Sequence, residues 1–406
     1  MSYIFLYIAF FGIWLSLNKK NGFNTSSFIL LFYLFSSICC LYIFIFYPHT
    51  ILYPDRVTLE SVSFHILTLF LFLSPLVHIG NKIKAENLSI SDKVLRNFSY
   101  CLIIPSVISI VVSFSDAINI FAFGDLSVAR NTLLSDNSLN YVYKYGALGY
   151  FISLGPIASF LCLFFSFYYR FYRKNRGMIT NLLFFSSFSF VINNFTIAGR
   201  DGVIRWILFF IFSCIFFKNY LSFKDNRKFW INVLSLGACI IIIFLLISED
   251  RFGERDDSTF FHLLNYYGQP FYYFSYNYQR FADTNIYGIG SIFPAISQKI
   301  HTIYNLNDFI YADYFLNIFP TFVGSILFRT GAINTFIISL CSFILLFFSF
   351  RHFRTISLNK IIVYIFFYEI YILGLFYFMH SGRMTQLGII FYIIIAYFLS
   401  FINKLK

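Results

Sequence analysis

Residues 27–47 read SFILLFYLFSSICCLYIFIFY, 21 positions without one charged side chain. A helix of about 20 residues is about 30 Å long, the thickness of the hydrocarbon core of a bilayer. The stretch is apolar on every face, whereas a helix on the surface of a soluble domain keeps a polar side. Ten further blocks of this kind lie near 3–17, 61–80, 98–115, 146–169, 178–198, 203–217, 230–248, 331–350, 361–379 and 384–402. Backbone groups inside such blocks find partners only within a helix or a closed barrel. The strict alternation of a membrane barrel is absent. The expected fold is therefore an all-α polytopic membrane protein of about eleven spans, organised as a single transmembrane domain over 1–406. The first block is short and charge-free with no small-residue cleavage site after it, so it reads as a retained helix rather than a signal peptide. Composition agrees: 59% of the 406 residues are hydrophobic and only 12% are charged, about half the charge of a soluble domain. Mean hydropathy is +0.72.

Positive charge sets the expected orientation, because Lys and Arg accumulate in cytoplasmic loops. Alternate connections hold Lys19/Lys20, Lys82/Lys84/Lys93/Arg96, Arg170/Arg173/Lys174/Arg176, Lys218/Lys224/Arg227/Lys228, Arg351/Arg354/Lys360 and Lys404/Lys406. These account for 19 of the 30 basic residues. The C-terminus is then cytoplasmic, and an odd number of spans puts the N-terminus outside. The net charge of +12 is a property of topology and does not mark a nucleic-acid surface.

The opposite connections hold the other eleven basic residues, and nine of those are Arg, including Arg56, Arg130, Arg200 and Arg329. Topology needs only charge, which Lys supplies. The planar guanidinium adds a bidentate grip on phosphate or carboxylate. Two roles are open to each of these arginines: pairing with neighbouring acids such as Glu249, Asp250, Glu254, Asp256 and Asp257, or holding an anionic ligand. Two external loops are long, 116–145 and 249–330. The second is rich in Tyr with Gly, Asn and Gln, from Tyr266 to Tyr287. That composition suits either contact with sugars or an interfacial aromatic belt. Within it, 309–328 is apolar but interrupted by Pro320 and Gly324, and it reads as a re-entrant or interfacial helix. Glu369 falls in mid-span, where a carboxylate faces a polar interior. The seven cysteines all lie in apolar blocks and act as small hydrophobes.

Three places resemble the Wzy-type oligosaccharide repeat unit polymerases of O-antigen and capsule synthesis. They are Ala198-Gly199-Arg200-Asp201-Gly202 between adjacent spans, the Tyr- and Gly-rich stretch up to Tyr287-Gly288-Ile289-Gly290, and Asn317-Ile318-Phe319-Pro320-Thr321 followed by Arg329-Thr330-Gly331. Where that family often carries an acid before an aromatic–Gly pair, this chain reads Phe328-Arg329-Thr330-Gly331. The resemblance implies a multi-span glycosyltransferase (GT-C-like) architecture related to the O-antigen ligases. It also implies glycosyl transfer from an undecaprenyl-pyrophosphate-linked donor to a lipid-linked acceptor on the outer face of the bacterial cytoplasmic membrane. No metal or other cofactor is implied, and a chain-length regulator is an expected partner.

Such a reaction needs cations for the pyrophosphate leaving group and a base for the acceptor hydroxyl. Arg200, fixed in a turn between spans, is the first candidate for the phosphate, with Arg205 beside it or paired to Asp201. Arg251 and Arg255, four residues apart, Arg280 and Arg130 are further candidates. For the base the order is His301, then Asp283, then His380, which sits next to Arg383 in the last external turn. An O-antigen ligase would look similar. A polysaccharide flippase or other transporter would show related halves and polar residues along its spans. A polyprenyl-phosphate sugar transferase would use acids of the first external loop, here Asp55 and Glu60. The charge asymmetry generates a direct test. Cysteines introduced at Asn277 and Lys174, in a background lacking native cysteines, are expected to react with an impermeant thiol reagent from opposite sides. Labelling of both from one side contradicts this orientation.

Overall fold

The computed structural model describes residues 2–48, 51, 54–121, 146–196, 199, 201–222, 224, 226–235, 237–238, 242, 259–282, 292, 321–350, 355–376 and 383–404. Twelve α-helices are named here: α1 (Phe5–Asn18), α2 (Thr25–Phe46), α3 (Leu59–Lys82), α4 (Asp92–Phe121), α5 (Ala147–Phe167), α6 (Met178–Ser186), α7 (Ser189–Phe195), α8 (Asp201–Phe216), α9 (Thr259–Phe281), α10 (Thr321–Ser349), α11 (Leu358–Leu373) and α12 (Arg383–Lys404). Seven helical stretches among the described residues are long and apolar enough to cross a membrane: Thr25–Phe46, Leu59–Lys82, Asp92–Asn119, Leu148–Tyr172, Met178–Phe195, Thr321–Ser349 and Met384–Ile402. The chain is thus an all-α membrane protein. Helices α1, α8 and α11 cover expected spans but are shorter, and most of 230–248 lies outside the described residues. Two compact units emerge, one of Met1–Ile83, Asp257–Thr355 and Phe366–Leu387, the other of Lys84–Asp256, Ile356–Ile365 and Gly388–Lys406.

In the first unit, an amide cluster ties together the end of α1, the start of α2 and the end of α3. Asn81 Nδ2 donates to Asn18 Oδ1 at 2.6 Å, Asn24 Nδ2 to Asn81 Oδ1 at 2.8 Å, and Asn18 Nδ2 to Ser27 Oγ at 3.0 Å. Asn24 also caps α2, accepting from the backbone N–H of Ser27. The neighbouring Lys19, Lys20 and Lys82 therefore share one end of the unit.

At the opposite end the chain departs from expectation. Residues Thr259–Phe281, expected as loop, form a 23-residue helix. α9 packs on α2 from Phe32 to its end and on the first turns of α3, through Ser61 and His65. Gly268 permits the approach to α2, since a Cβ there would lie 2.7 Å from the backbone nitrogen of Cys40 and 2.8 Å from the carbonyl carbon of Cys39. Pro270 lacks an N–H, which removes the ladder bond to the Tyr266 carbonyl; the next carbonyl, that of Tyr267, accepts from Ser36 Oγ of α2. Gly, Pro, amides and tyrosines read as loop in isolation, and packing against α2 and α3 overrides that local signal. Asn277 is buried at 3% exposure, so Gln279, exposed on the same helix, is the position for the labelling experiment.

α10 is two helices joined at Gly331, whose φ of 75° and ψ of 174° interrupt it. A straight helix would separate Phe322 from Ser342 by about 30 Å. Yet Tyr371 meets both, its ring 5.2 Å from that of Phe322 and its hydroxyl 2.8 Å from Ser342 Oγ. The chain therefore doubles back at Gly331. The arm 321–330 is buried at every position except the half-buried Arg329, while 332–349 exposes Ile333, Leu345 and Phe348. The re-entrant helix expected near 309–328 lies largely outside the described residues. Within them, Gly324 is helical and the break falls at Gly331. The arm starts deep in the unit, where Thr321 N–H donates to Phe376 O at 3.1 Å and Phe322 N–H to Gly374 O at 2.6 Å. Its far end rests on α9, with Ala332 N–H donating to Ala282 O at 2.9 Å.

The second unit is built around α4, α5 and α7. A Cβ on Gly155 of α5 would lie 2.8 Å from the Pro105 carbonyl oxygen of α4. The Gly155 carbonyl also accepts from Ser106 and Ser189. The expected span 178–198 is broken at Ser187-Phe188 into α6 and α7, and the Ser187 carbonyl accepts from Ser159.

Gly268→Ala is expected to lower stability by about 1–3 kcal/mol, the usual cost of overpacking. Gly12→Ala, where a Cβ meets nothing within 4 Å, should not. Thermal unfolding of both variants in detergent checks the pair, and equal melting temperatures would remove the close approach of α9 to α2.

Candidate functional site

In the first unit, polar side chains gather where α3 begins and α9 ends. Pro54–Arg56 form a short 3-10 turn, and α3 opens on a capping box in which Ser61 N–H donates to Thr58 Oγ1 and Thr58 N–H to Ser61 Oγ, both at 3.2 Å. These features fix Arg56 and Glu60. The register of α9 is pinned by Ser61–Ser275 at 3.0 Å and by His65 stacked on Phe274 with centroids 3.7 Å apart. Deeper, His65 completes a buried line, its Nδ1 2.8 Å from Tyr7 Oη and its Nε2 3.1 Å from Thr321 Oγ1.

That register places two arginines on one tyrosine. The Arg56 guanidinium lies 4.9 Å from the centre of the Tyr276 ring, and Arg280 Nη1 donates to Tyr276 Oη at 3.2 Å. Beside them Tyr278 Oη donates to Glu60 Oε1 at 2.9 Å. Arg280 and Glu60 are exposed and the other three half-buried. The group offers two cations, two aromatic faces and one carboxylate, partners for phosphate oxygens, sugar ring faces and hydroxyls respectively. Arg280 was expected from sequence. The roles of Arg56, Tyr276, Tyr278 and Glu60 become readable only once 259–281 is seen as a helix, which makes Tyr276 and Arg280 an i,i+4 pair. Tyr272, by contrast, is buried against Phe44 and bonded to Asn265, so it packs the interior.

In the second unit, the turn between α7 and α8 holds the second group. Gly199 is buried and its N–H donates to Asn194 O at 2.9 Å. A Cβ on Gly202 would meet Asn194 Cβ at 2.8 Å. Asp201 occupies the first turn of α8, where the helix dipole favours an acid. Arg205, only 1% exposed, donates to it through Nε at 2.7 Å and pairs through Nη2 at 2.5 Å. The fork is thus turned toward Asp201, and this geometry gives Arg205 the role of holding the turn.

Arg130, Arg200, Arg251, Arg255, Asp283, His301 and His380 lie outside the described residues, and Arg383 is the first residue of α12. Among the described residues, no three His, Cys, Asp or Glu side chains gather as a metal site. No family model, curated protein or solved structure matches this chain.

Asp201→Asn leaves a buried guanidinium beside a neutral amide. Removing one partner of such a pair is expected to cost about 2 kcal/mol, below the usual figure for a fully buried pair because Asp201 is partly exposed. The measurement is the melting temperature of the purified variant, with Arg280→Gln, on the exposed end of α9, unchanged as the control.

Proposed function

We propose that this chain polymerises undecaprenyl-pyrophosphate-linked oligosaccharide repeat units on the outer face of the bacterial cytoplasmic membrane. The observation that carries the reading is the group Arg56–Tyr276–Arg280 with Glu60–Tyr278, at the end of a membrane unit remote from Lys19, Lys20 and Lys82. Supporting it are the excess of Arg over Lys in the connections of that side and the motif resemblance over 190–335. In this reading the chain has eleven spans, an external N-terminus, a cytoplasmic C-terminus and a GT-C-like architecture. It acts on a lipid-linked donor and acceptor, alone or with a chain-length regulator.

The acceptor hydroxyl attacks the anomeric carbon of the donor glycan as the bond to the pyrophosphate oxygen breaks. Negative charge then grows on the pyrophosphate, and preorganised guanidinium groups stabilise it. Arg56 and Arg280 serve this purpose. The hydroxyl proton passes to a base, for which His301, Asp283 and His380 are the sequence candidates. The tyrosines offer ring faces to the sugars.

A second reading, a transporter of the lipid-linked glycan, is favoured by one observation. The arm 321–330 begins inside the unit opposite the unwound residues Gly374 to Phe376, and broken helices of this sort line transporter sites. The surface glycan of a deletion strain separates the readings. A polymerase deletion retains a single repeat unit on the anchor, while loss of all repeats points to a ligase or flippase. In the same strain, Arg280→Gln and Arg56→Gln are each expected to shorten chains at unchanged protein level. The loss of a charge-assisted hydrogen bond to the leaving group corresponds to about tenfold or more in rate. Wild-type chain length in both variants would remove the group from the site.

A further inference from the structure

α5 ends in a single π-turn, Tyr168–Tyr172, a feature frequent at functional sites. Arg170 lies in it and is only 9% exposed. A basic residue that serves topology needs to reach water or headgroups, and burying a guanidinium is costly unless its donors are used. Among the described residues Arg170 makes one hydrogen bond, Nη2 to Asn181 Oδ1 at 2.5 Å, and its guanidinium carbon sits 4.3 Å from the centre of the Phe229 ring. Its Nε is buried with no hydrogen-bond partner among the described residues. No described carboxylate pairs with it, since the nearby Asp92 is 3.5 Å from Arg173. Arg173 in turn donates to the Ile90 carbonyl at 2.8 Å. The tight loop that follows, with Lys174 in the left-handed region at φ 52°, brings the exposed Arg176 back toward α6. Asn181, the residue that Arg170 reaches, is itself exposed, so the Nη2 end of the guanidinium lies beside an exposed side chain.

The height of this group in the membrane follows from its position. The apolar stretch Leu148–Tyr172 is long enough to cross a bilayer, and Arg170 lies two residues inside its end. Trp230, half-buried 5.9 Å from Phe171, is the residue type that settles at headgroup level. A cation at that depth, with donors to spare and the Arg176 charge acting on it, faces the phosphates of lipid headgroups.

We propose that Arg170 and Arg176 with Asn181 form a binding site for the phosphate of an anionic phospholipid. Arg170 is the fixed anchor of the site, and Arg176 closes it from the loop. The site is separate from the arginine–tyrosine group of the first unit and does not depend on the polymerase reading.

Native mass spectrometry of the full chain, titrated in detergent with phosphatidylglycerol or phosphatidylcholine, tests this. Retention of phosphatidylglycerol is expected to exceed that of phosphatidylcholine. Arg170→Gln should cut the preference about fivefold, the factor expected for one cation at the headgroup level. Arg176→Gln, at an exposed position, should cut it by a similar factor with the fold intact, so the test survives if the Arg170 variant does not fold. Equal retention of the two lipids by the wild type, or an unchanged preference in Arg176→Gln, would overturn the site. A third titration uses inorganic phosphate. Displacement of bound phosphatidylglycerol by millimolar phosphate would assign the site to a soluble anion and overturn the lipid, whereas persistence of the lipid supports it.

Discussion

Every backbone N–H and C=O inside an apolar medium needs a partner, and this requirement governs the places where the helices break. Beside Pro270, within α9, the Tyr267 carbonyl takes a further donor, the hydroxyl of Ser36 on α2. At Thr321 the first amides of a buried arm donate to carbonyls released where α11 unwinds. At the hairpin tip, Ala332 N–H takes the carbonyl of Ala282 just past the end of α9. Each irregular stretch is therefore tied to one particular neighbour. These ties fix the depth of the arm and the end of α9, and with them the position of Tyr276, Tyr278 and Arg280.

Arginine does three different jobs in the described residues. Arg205 is buried with its carboxylate four residues away and holds a turn. Arg56 and Arg280 meet on Tyr276 at an accessible helix end. Arg170 is buried with no carboxylate paired to it. One residue type thus serves stability, the proposed chemistry and a proposed lipid contact, and only the partners distinguish the roles. The sequence shows the excess of Arg; it does not show which arginines already have a carboxylate.

The membrane helices were legible because their signal is long and uniform: twenty apolar residues read the same whatever packs against them. The turn around Gly199 to Gly202 and the pairing of Asp201 with Arg205 were also legible, being local at i,i+4. α9 was not. Its Gly268 and Pro270 are helix-unfavourable in isolation, and the close approach to Cys39 and Cys40 that calls for Gly268 is a tertiary contact no local pattern shows. The break at Gly331 was missed for a related reason. Pro320 and Gly324 looked like interruptions, yet Pro320 precedes the arm and Gly324 is helical within it, while the φ of Gly331 depends on the packing of both arms on Tyr371. The grouping of Arg56 with Arg280 joins residues more than two hundred positions apart, which no local pattern encodes.

On the proposed function this chain makes glycosidic bonds between lipid-linked repeat units. This is tested most directly by reconstituting the purified protein in vesicles with undecaprenyl-pyrophosphate-linked repeat units and resolving the products by size. A polymerase yields a ladder of glycans spaced by one repeat unit, with release of undecaprenyl pyrophosphate for each bond formed. Movement of the lipid-linked glycan from one leaflet to the other, with no glycan longer than a single repeat, would contradict it.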